Sequence, residues 1–199
     1  MTQNAKVVVV YHSGYGHTKV QAEAVMRGAA QVSDASLIDV ADLSQGLDEL
    51  ADADALIFGS PTYMGSVSGP FKSFMDASSG IWLEQGWKNR IAGGFTNSSS
   101  QSGDKVATLQ AMSIFAAQHG MIWVGMDLAP GNNSTHGSED NLNRMGASLG
   151  AMAQSLADQG PDVAPPSADI LTAEYYGARV AEAANRWVAA GGRDLAVAA

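Results

Sequence analysis

Residues 6–18 read Lys-Val-Val-Val-Val-Tyr-His-Ser-Gly-Tyr-Gly-His-Thr, and this stretch decides how the fold is interpreted. The apolar run at its start predicts a buried β-strand, and the residues after it predict a helix. A glycine-rich turn at a helix start aims unpaired backbone N–H groups and the positive end of the helix dipole at one point. The sequence therefore predicts a phosphate site at this turn.

The hydroxyl groups of the turn indicate which kind of phosphate ligand it would bind. They can donate to a terminal phosphate monoester, whereas a dinucleotide pyrophosphate would require bare glycine backbone. The predicted phosphate-binding residues are Ser13, Gly14, Tyr15, Gly16, His17 and Thr18. The alternative is an ordinary strand–turn–helix whose glycines serve only the turn geometry.

Composition favours one domain that depends on a bound cofactor. With 199 residues, 46% of them hydrophobic and 16% charged, the chain suffices for one α/β domain over residues 1–199. A formal net charge of −9, spread along the chain, disfavours nucleic acid and anionic membrane surfaces as partners. Because there is no cysteine, redox chemistry needs a bound organic cofactor or a metal held by other ligands.

The sequence lacks recognisable targeting and metal-binding signals. Its N-terminus has no charged segment followed by a long apolar one, and no apolar run approaches membrane-spanning length, which predicts a cytoplasmic protein. The four histidines are scattered without ligand spacing, so we expect no metal site.

Apolar runs of strand length alternate with segments long enough for crossover helices. The predicted strands are Val7–Tyr11, Leu37–Val40, Ala55–Gly59, Ile91–Phe95 and Met121–Val124. The predicted helices are Thr18–Ala30, Gly69–Ala77, Lys105–His119, Asn143–Ala157 and Thr172–Ala190. Continuous apolarity in the strands indicates that both faces are covered, so the sequence predicts a doubly wound parallel α/β sheet.

Ligands of such sheets bind outside the carboxyl ends of the strands, where the segments after the first, third and fourth strands meet. The segment after the third strand is fixed by prolines and glycines, and the predicted ligand-binding residues there are Pro61, Thr62, Tyr63, Met64 and Gly65. The segment after the fourth strand is wholly polar and uncharged, and it contributes Thr96, Asn97, Ser98, Ser99, Ser100, Gln101 and Ser102. Amide and hydroxyl groups of this kind satisfy a flat ring with carbonyl and N–H edges. A phosphate with a polar-edged ring describes FMN, although the serine run alone also fits a flexible surface loop.

Four segments together resemble the flavodoxin-like WrbA quinone reductases: 13–18, 59–65, 80–82 and 119–121. The resemblance implies an α/β, flavodoxin-like, doubly wound five-stranded parallel sheet of order 2-1-3-4-5 that carries noncovalent FMN. It also implies that NADH or NADPH and then a quinone use the same exposed ring face, in a ping-pong hydride mechanism.

The resemblance implies roles for particular residues. The turn 13–18 would hold the phosphate, Thr62–Met64 would frame the ring, and Thr96–Ser102 would line its other edge. Trp82 and His119 match positions beside the ring, which implies catalytic roles for both. The alternatives are that Trp82 is a core aromatic and that His119 simply closes a helix near the negative end of its dipole.

Two departures from the family limit what is transferred. The family often has an arginine where this chain has Tyr63, so recognition of the nicotinamide cofactor is not carried over to that position. The connection 41–54 is shorter than in the tetrameric members, which leaves a homo-oligomer, dimer or tetramer, as the expectation. The apolar cluster Gly80–Leu83 predicts the subunit contact, with Trp82 beside a flavin.

Two other functions remain open. An NAD-binding Rossmann enzyme would fit Gly14 and Gly16, but Lys19 stands where its fingerprint needs a third glycine. A flavodoxin-type electron carrier would fit the acidic composition. Such carriers usually stack an aromatic residue from the segment after the fourth strand on the flavin, and here that segment is serine-rich, which favours an enzyme.

Overall fold

The structure is a computed structural model that describes residues 4–45 and 47–192. Its strands are β1 (Lys6–Tyr11), β2 (Asp34–Asp39), β3 (Ala55–Tyr63), β4 (Ser66–Val67), β5 (Ile91–Ser98), β6 (Ile122–Trp123) and β7 (Ala151–Gln154). Its α-helices are α1 (His17–Ala30), α2 (Gly69–Ala77), α3 (Ser79–Leu83), α4 (Lys105–Gln118) and α5 (Ser167–Ala189). Two short 3-10 turns, Asp42–Gln45 and Asp48–Leu50, follow β2.

The parallel strands run β2-β1-β3-β5-β6, which confirms the predicted five-stranded order 2-1-3-4-5. The fifth position is split between two short strands. β6 pairs with the first half of β5 and β7 with its second half, so residues 124–150 leave the sheet and return to it. β4 is antiparallel to the end of β3 and forms a hairpin with it.

The helix predicted over Asn143–Ala157 is wrong. Asn143 and Gly146 both have positive φ, at 49° and 66°, a conformation that interrupts a right-handed helix. Gly150 lies so close to β5 that an added Cβ would be 2.1 Å from the Gly94 carbonyl oxygen. This close approach places residues 151–154 in the sheet, where they complete the fifth position.

Alternate valines of β1 face two separate cores. Val7 and Val9 pack on the side of α1 and α5, while Val8 and Val10 pack with the aromatic residues of α2 and α4. On the first side, α1 and α5 cross in backbone contact, since a Cβ on Gly28 would be 1.8 Å from the Glu174 carbonyl oxygen. The two cores hold β1 rigidly, and β1 delivers the turn that follows it.

The last helix begins earlier than predicted. It starts at Ser167 rather than Thr172, directly after Pro166, and proline is favourable just before or within the first turn of a helix. Tyr176, Val180 and Ala184 are fully buried along it. Within the described ranges, no helix is long and apolar enough to span a membrane.

Candidate active site

A cleft of about 790 Å³ lies at the carboxyl ends of β1, β3, β5 and β7. Four chain segments converge on it, three of which the sequence predicts. Of the predicted residues, the cleft is lined by Ser13, Tyr15, His17, Thr18, Pro61, Thr62, Tyr63, Met64, Gly65, Asn97, Ser98, Ser99 and Ser100. Gly14, Gly16, Thr96, Gln101 and Ser102 lie in the same segments without being among the lining residues.

The turn after β1 is shaped to present backbone amides. The Ser13 hydroxyl accepts a hydrogen bond from the Gly16 N–H at 3.0 Å, and Gly16 takes a φ of 91° that few other residues adopt. The first helical hydrogen bond of α1 runs from the Val20 N–H to the Gly16 carbonyl, so the amides of residues 17–19 remain available. The first turn of α1 contains no acidic residue, and an anion is therefore favoured there.

The hairpin of β3 and β4 forms one wall of the cleft. Thr62 pairs with Val67 and Tyr63 with Ser66, which leaves Met64 and Gly65 as its two turn residues. Both turn residues have positive φ, 49° and 79°, as in the tight turns that match the twist of a hairpin. The Met64 side chain is fully exposed at the tip.

Polar contacts behind the hairpin fix it to β1. The Ser60 hydroxyl accepts the Ser68 N–H at 2.9 Å, and the Ser68 hydroxyl hydrogen-bonds His12 Nδ1 at 2.9 Å. Burial lowers the pKa of His12. This network lies outside the cleft and positions Pro61 and Thr62 at its floor.

Two tyrosines meet at the mouth of the cleft. The rings of Tyr15 and Tyr63 lie edge to face with their centroids 6.3 Å apart. An added Cβ on Gly14 would be 2.4 Å from the Tyr63 hydroxyl oxygen, so glycine is required for the tyrosine to lie against the turn. Burial, and to a smaller extent Tyr15, raise the pKa of Tyr63. Tyr63 thus presents a neutral aromatic ring at the mouth of the cleft.

Three threonine hydroxyls join the walls beneath the cleft. Thr62 Oγ1 lies 2.9 Å from Thr96 Oγ1 and 2.8 Å from Thr108 Oγ1. Thr96 and Thr108 are fully buried, so Thr96 supports Thr62 from below and does not line the cleft. β3, β5 and α4 are connected through this trio at the base of the site.

The fourth segment, after β7, was missed by the sequence analysis. It contributes Ser155, Ala157, Gln159, Gly160 and Pro161, while Gly103 and Asp104 extend the β5 loop beyond the predicted residues. The Ser155 hydroxyl donates to Asn97 Oδ1 at 3.1 Å, and the Gln159 carbonyl lies 2.8 Å from His17 Nε2. Gly160-Pro161 is a turn signal, but the predicted helix ending at Ala157 hid its connection to the sheet.

A buried ion pair holds this segment in place. The Arg144 guanidinium donates two hydrogen bonds to the Asp169 carboxylate, at 2.7 and 2.8 Å. The same carboxylate accepts the Gln154 N–H at 2.9 Å. The returning chain and the start of α5 are therefore fixed at the end of β7, next to the cleft.

The structure places Trp82 and His119 outside the cleft-lining residues. His119 follows α4, whose fourteen residues span about 20 Å from the cleft end of the helix. It is buried between Trp87 and Phe115, and its Nε2 lies 2.9 Å from the Ser78 hydroxyl. Trp82 lies on α3 with 53% of its surface exposed.

No group of three or more histidine, cysteine or acidic side chains suited to a metal ion occurs among the residues described. The hydroxyl, amide and backbone groups of the cleft instead suit an organic phosphate ligand with a flat polar ring.

Comparison with known proteins identifies the family. The family of NADPH-dependent FMN reductases matches residues 5–133. The chain belongs to this family. This match and the similar solved structure confirm three predictions from the sequence: the family, the flavodoxin-like fold and the oxidoreductase class.

Relatives of this chain carry two kinds of name. Flavodoxin FldP of Pseudomonas aeruginosa (strain UCBPP-PA14) is 46% identical over 181 residues, which cover 89% of this chain and 95% of the relative. An NAD(P)H dehydrogenase (quinone) of Geotalea uraniireducens (strain Rf4) is 31% identical over 205 residues, covering 91% and 98%. The crystal structure of a flavodoxin, WrbA-like protein from Agrobacterium tumefaciens has a TM-score of 0.71 and 40% identity, and the match covers 92% of this chain and 98% of that one.

Proposed function

We propose that the protein binds FMN noncovalently in the cleft and uses NADH or NADPH to reduce a quinone, within one domain. The cleft itself is the observation that carries this proposal: an amide-rich helix start without acidic residues lies at one end. Two walls follow whose lining groups are mainly hydroxyl, amide and backbone groups, with Asp104 at the end of the β5 loop. The family description and the names of the quinone dehydrogenases agree with this cofactor and these substrates. They favour FMN over the NAD-binding alternative.

The residues present fit each part of FMN. The hydroxyls of Ser13 and Thr18, with the first amides of α1, would hold the phosphate, while His17 is tied to the Gln159 carbonyl. The hairpin wall and the β5 loop would hold the two sides of the ring. FMN, when bound, supplies the acceptor and donor of the electron pair, and the protein orients it and excludes water.

One exposed ring face cannot hold both substrates, so we expect them to use it in turn. The rings of Tyr15 and Tyr63 at the mouth offer apolar surface for a nicotinamide or a quinone. Steady-state kinetics with several quinones should give parallel double-reciprocal lines. Intersecting lines would contradict a shared face.

The direct test of FMN binding is the visible spectrum of the protein after incubation with FMN and desalting. We expect a retained flavin spectrum at one FMN per chain. A protein that stays colourless but retains NAD(H) would instead support the Rossmann alternative.

A substitution tests the phosphate site. Thr18→Val keeps the shape of the buried side chain and removes its hydroxyl, so FMN binding should weaken by about 1–3 kcal/mol, the value of a hydrogen bond to a charged acceptor. Thr135→Val, at an exposed position outside the cleft, is the matched control and should leave the dissociation constant unchanged. An unaltered constant in Thr18→Val would place the phosphate elsewhere.

An electron carrier is the second candidate, because the 46% identical relative is named a flavodoxin. The β5 loop of this chain has no aromatic residue to cover the ring, which favours an enzyme. Rapid electron exchange with a protein partner, without turnover of any quinone by either nicotinamide cofactor, would favour the carrier.

We also propose that the active unit is a homo-oligomer with Trp82 at or near the subunit contact. Of the two neighbouring tryptophans, Trp87 is buried, whereas Trp82 and Leu83 are exposed side by side on α3. Val106 and Ile114 on α4 are exposed as well. Apolar surface of this kind is typical of partner contacts.

Light scattering of the FMN-bound protein tests the assembly. A mass near 20.6 kDa at every concentration would contradict the oligomer. A Trp82→Ala variant that stays oligomeric with unchanged quinone kinetics would separate Trp82 from the site while leaving the assembly intact.

A further inference from the structure

Lys105, the first residue of α4, is a buried lysine that the proposed function does not use. Only 1% of its surface is exposed. Its Nζ donates to Ser98 Oγ at 2.9 Å and to the carbonyl oxygens of Ser100 and Gln101, both at 2.8 Å. An ammonium group has three N–H donors, and here each has one acceptor.

This position is unfavourable for a positive charge. Burial lowers the pKa of Lys105 to about 8, although Asp169 acts in the opposite direction. Asp169 is already engaged by Arg144, and the start of α4 carries the positive end of the helix dipole. The loop oxygens are therefore the groups that stabilise the ammonium.

The loop 98–104 lies between Lys105 and the cleft. Ser98, Ser99, Ser100, Gly103 and Asp104 line the cleft, whereas Lys105 does not. The loop contains no apolar side chain that could anchor it in a core. Gln154 holds its start through the Ser99 carbonyl, and the Ser98 hydroxyl donates to the Ser100 carbonyl at 3.0 Å. The Lys105 side chain binds the Ser100 and Gln101 carbonyls, and the Lys105 N–H donates to the Ser102 carbonyl.

The lysine also sets the direction of the loop amides. In a trans peptide the N–H points opposite to the carbonyl of the same unit. Since the Ser100 and Gln101 carbonyls point at Lys105, the N–H groups of Gln101 and Ser102 point away from it. Among the hydrogen bonds of the described residues, these two N–H groups have no protein acceptor.

We propose that Lys105 is a positioning residue for the flavin: it holds the loop 98–104 in place at the cleft, with the Gln101 and Ser102 amides turned away from it, and places a positive charge one hydrogen bond from the cleft. This inference rests on the proposed binding of FMN. Reduced flavin carries a negative charge that oxidised flavin lacks, so a buried ammonium one hydrogen bond from the cleft would favour the reduced form. Lys105 thus contributes to both the affinity for FMN and its potential.

The test compares Lys105→Met with Lys88→Met at pH 7. Methionine retains the length of the side chain without its charge or donors, and Lys88 is an exposed lysine outside the cleft. We expect Lys105→Met to raise the dissociation constant of oxidised FMN by at least about tenfold, the equivalent of one hydrogen bond to a charged group. The affinity for reduced FMN should fall by a larger factor than the affinity for oxidised FMN, and this difference lowers the two-electron midpoint potential of the bound cofactor. Lys88→Met should change neither value.

The potential separates this proposal from a purely structural role. A loop that only loses its shape would bind both forms of FMN less well by the same factor, and the potential would not move. An unchanged potential in Lys105→Met therefore overturns the proposal, even when the affinity falls. Failure of the wild-type protein to bind FMN would instead overturn the proposed function.

A second pair of variants covers the case in which Lys105→Met does not fold. Lys105→Gln retains two N–H donors without the charge and should still lower the potential. Ser98→Ala removes one acceptor of the ammonium and one donor to the Ser100 carbonyl but keeps the charge, so FMN binding should weaken with little change in potential. A potential lowered equally in Ser98→Ala and Lys105→Gln would contradict the assignment of the charge effect to Lys105.

Discussion

The two walls of the cleft are built in opposite ways. The hairpin 60–68 is held by backbone pairing, by Pro61 and by the buried Ser60–Ser68–His12 contacts. The loop 98–104 has no strand partner beyond Ser98, and its later part is wrapped around the Lys105 ammonium. One wall is thus fixed by many small contacts and the other largely by one side chain.

This difference predicts unequal tolerance of change. In the hairpin, the loss of one contact leaves the others in place, so the geometry should survive. In the loop, the three oxygens share one ammonium, and moving any of them leaves a buried charge with fewer partners. We therefore expect the loop 98–104 to tolerate fewer substitutions than the hairpin 60–68.

A pair of glycine substitutions should show the largest effect. Gly103 and Gly65 both have positive φ, at 54° and 79°, but an added Cβ on Gly103 would be 2.1 Å from Ser98 Oγ, whereas Gly65 has open space. Gly103→Ala should destabilise the protein by about 3–5 kcal/mol, the range for a buried charge that loses its partners. Gly65→Ala should cost only the backbone strain, about 1–2 kcal/mol. Denaturant unfolding measures both.

The FMN dissociation constants of the same variants complete the comparison. Gly103→Ala should bind FMN more weakly than Gly65→Ala. Equal losses of stability and of affinity would show that the two walls are equally tolerant.

His119, which lies outside both walls, should make the unfolding free energy depend on pH. Burial lowers the pKa of His119 from 6.5 to about 4. The unfolded chain therefore binds the extra proton more readily than the folded protein, and the unfolding free energy should fall as the pH decreases from 6.5 toward 4, by on the order of 3 kcal/mol. His119→Gln should remove this part of the pH dependence while FMN binding stays intact. Loss of FMN binding would connect His119 to the site.

The pH dependence of FMN binding should show a smaller effect. Because the pKa of Lys105 lies at about 8, the ammonium loses its proton as the pH rises through that value, and one of its three acceptors then loses a donor. FMN affinity should fall above this pH in the wild type and in Lys88→Met. In Lys105→Met this step should be absent, and a persisting step would assign it to another group.

Met64 should give the smallest effect, and one of opposite sign. A methionine with a φ of 49° is strained, and asparagine is the residue favoured at this position of a tight hairpin turn. Met64→Asn should therefore raise the unfolding free energy by about 1 kcal/mol. If the exposed thioether contacts the ring or a substrate, quinone turnover should fall in the same variant, and a loss of stability would contradict the strain.

The sequence predicts best the parts of the site that are determined locally. The turn 13–18 and the hairpin around Tyr63 lie directly after apolar strands, so their place at the sheet edge follows from the strands themselves. The segment 155–161 could not be predicted, because β7 forms through the contact of Gly150 with Gly94, more than fifty residues away in the chain. The role of Lys105 was hidden for a similar reason, since no local pattern shows that a lysine at a helix start turns inward.

The fifth position of the sheet is filled by two short strands, β6 and β7, that are joined by a long segment outside the sheet. β6 and β7 each pair with β5 independently, so neither depends on the length of the segment between them. The two arms of that segment come together where the Gly131 N–H donates to the Asn143 carbonyl at 3.1 Å. Residues 132–135, which follow this contact, are exposed. An additional domain or tag could be accommodated at this exposed point while both halves of the sheet keep their register.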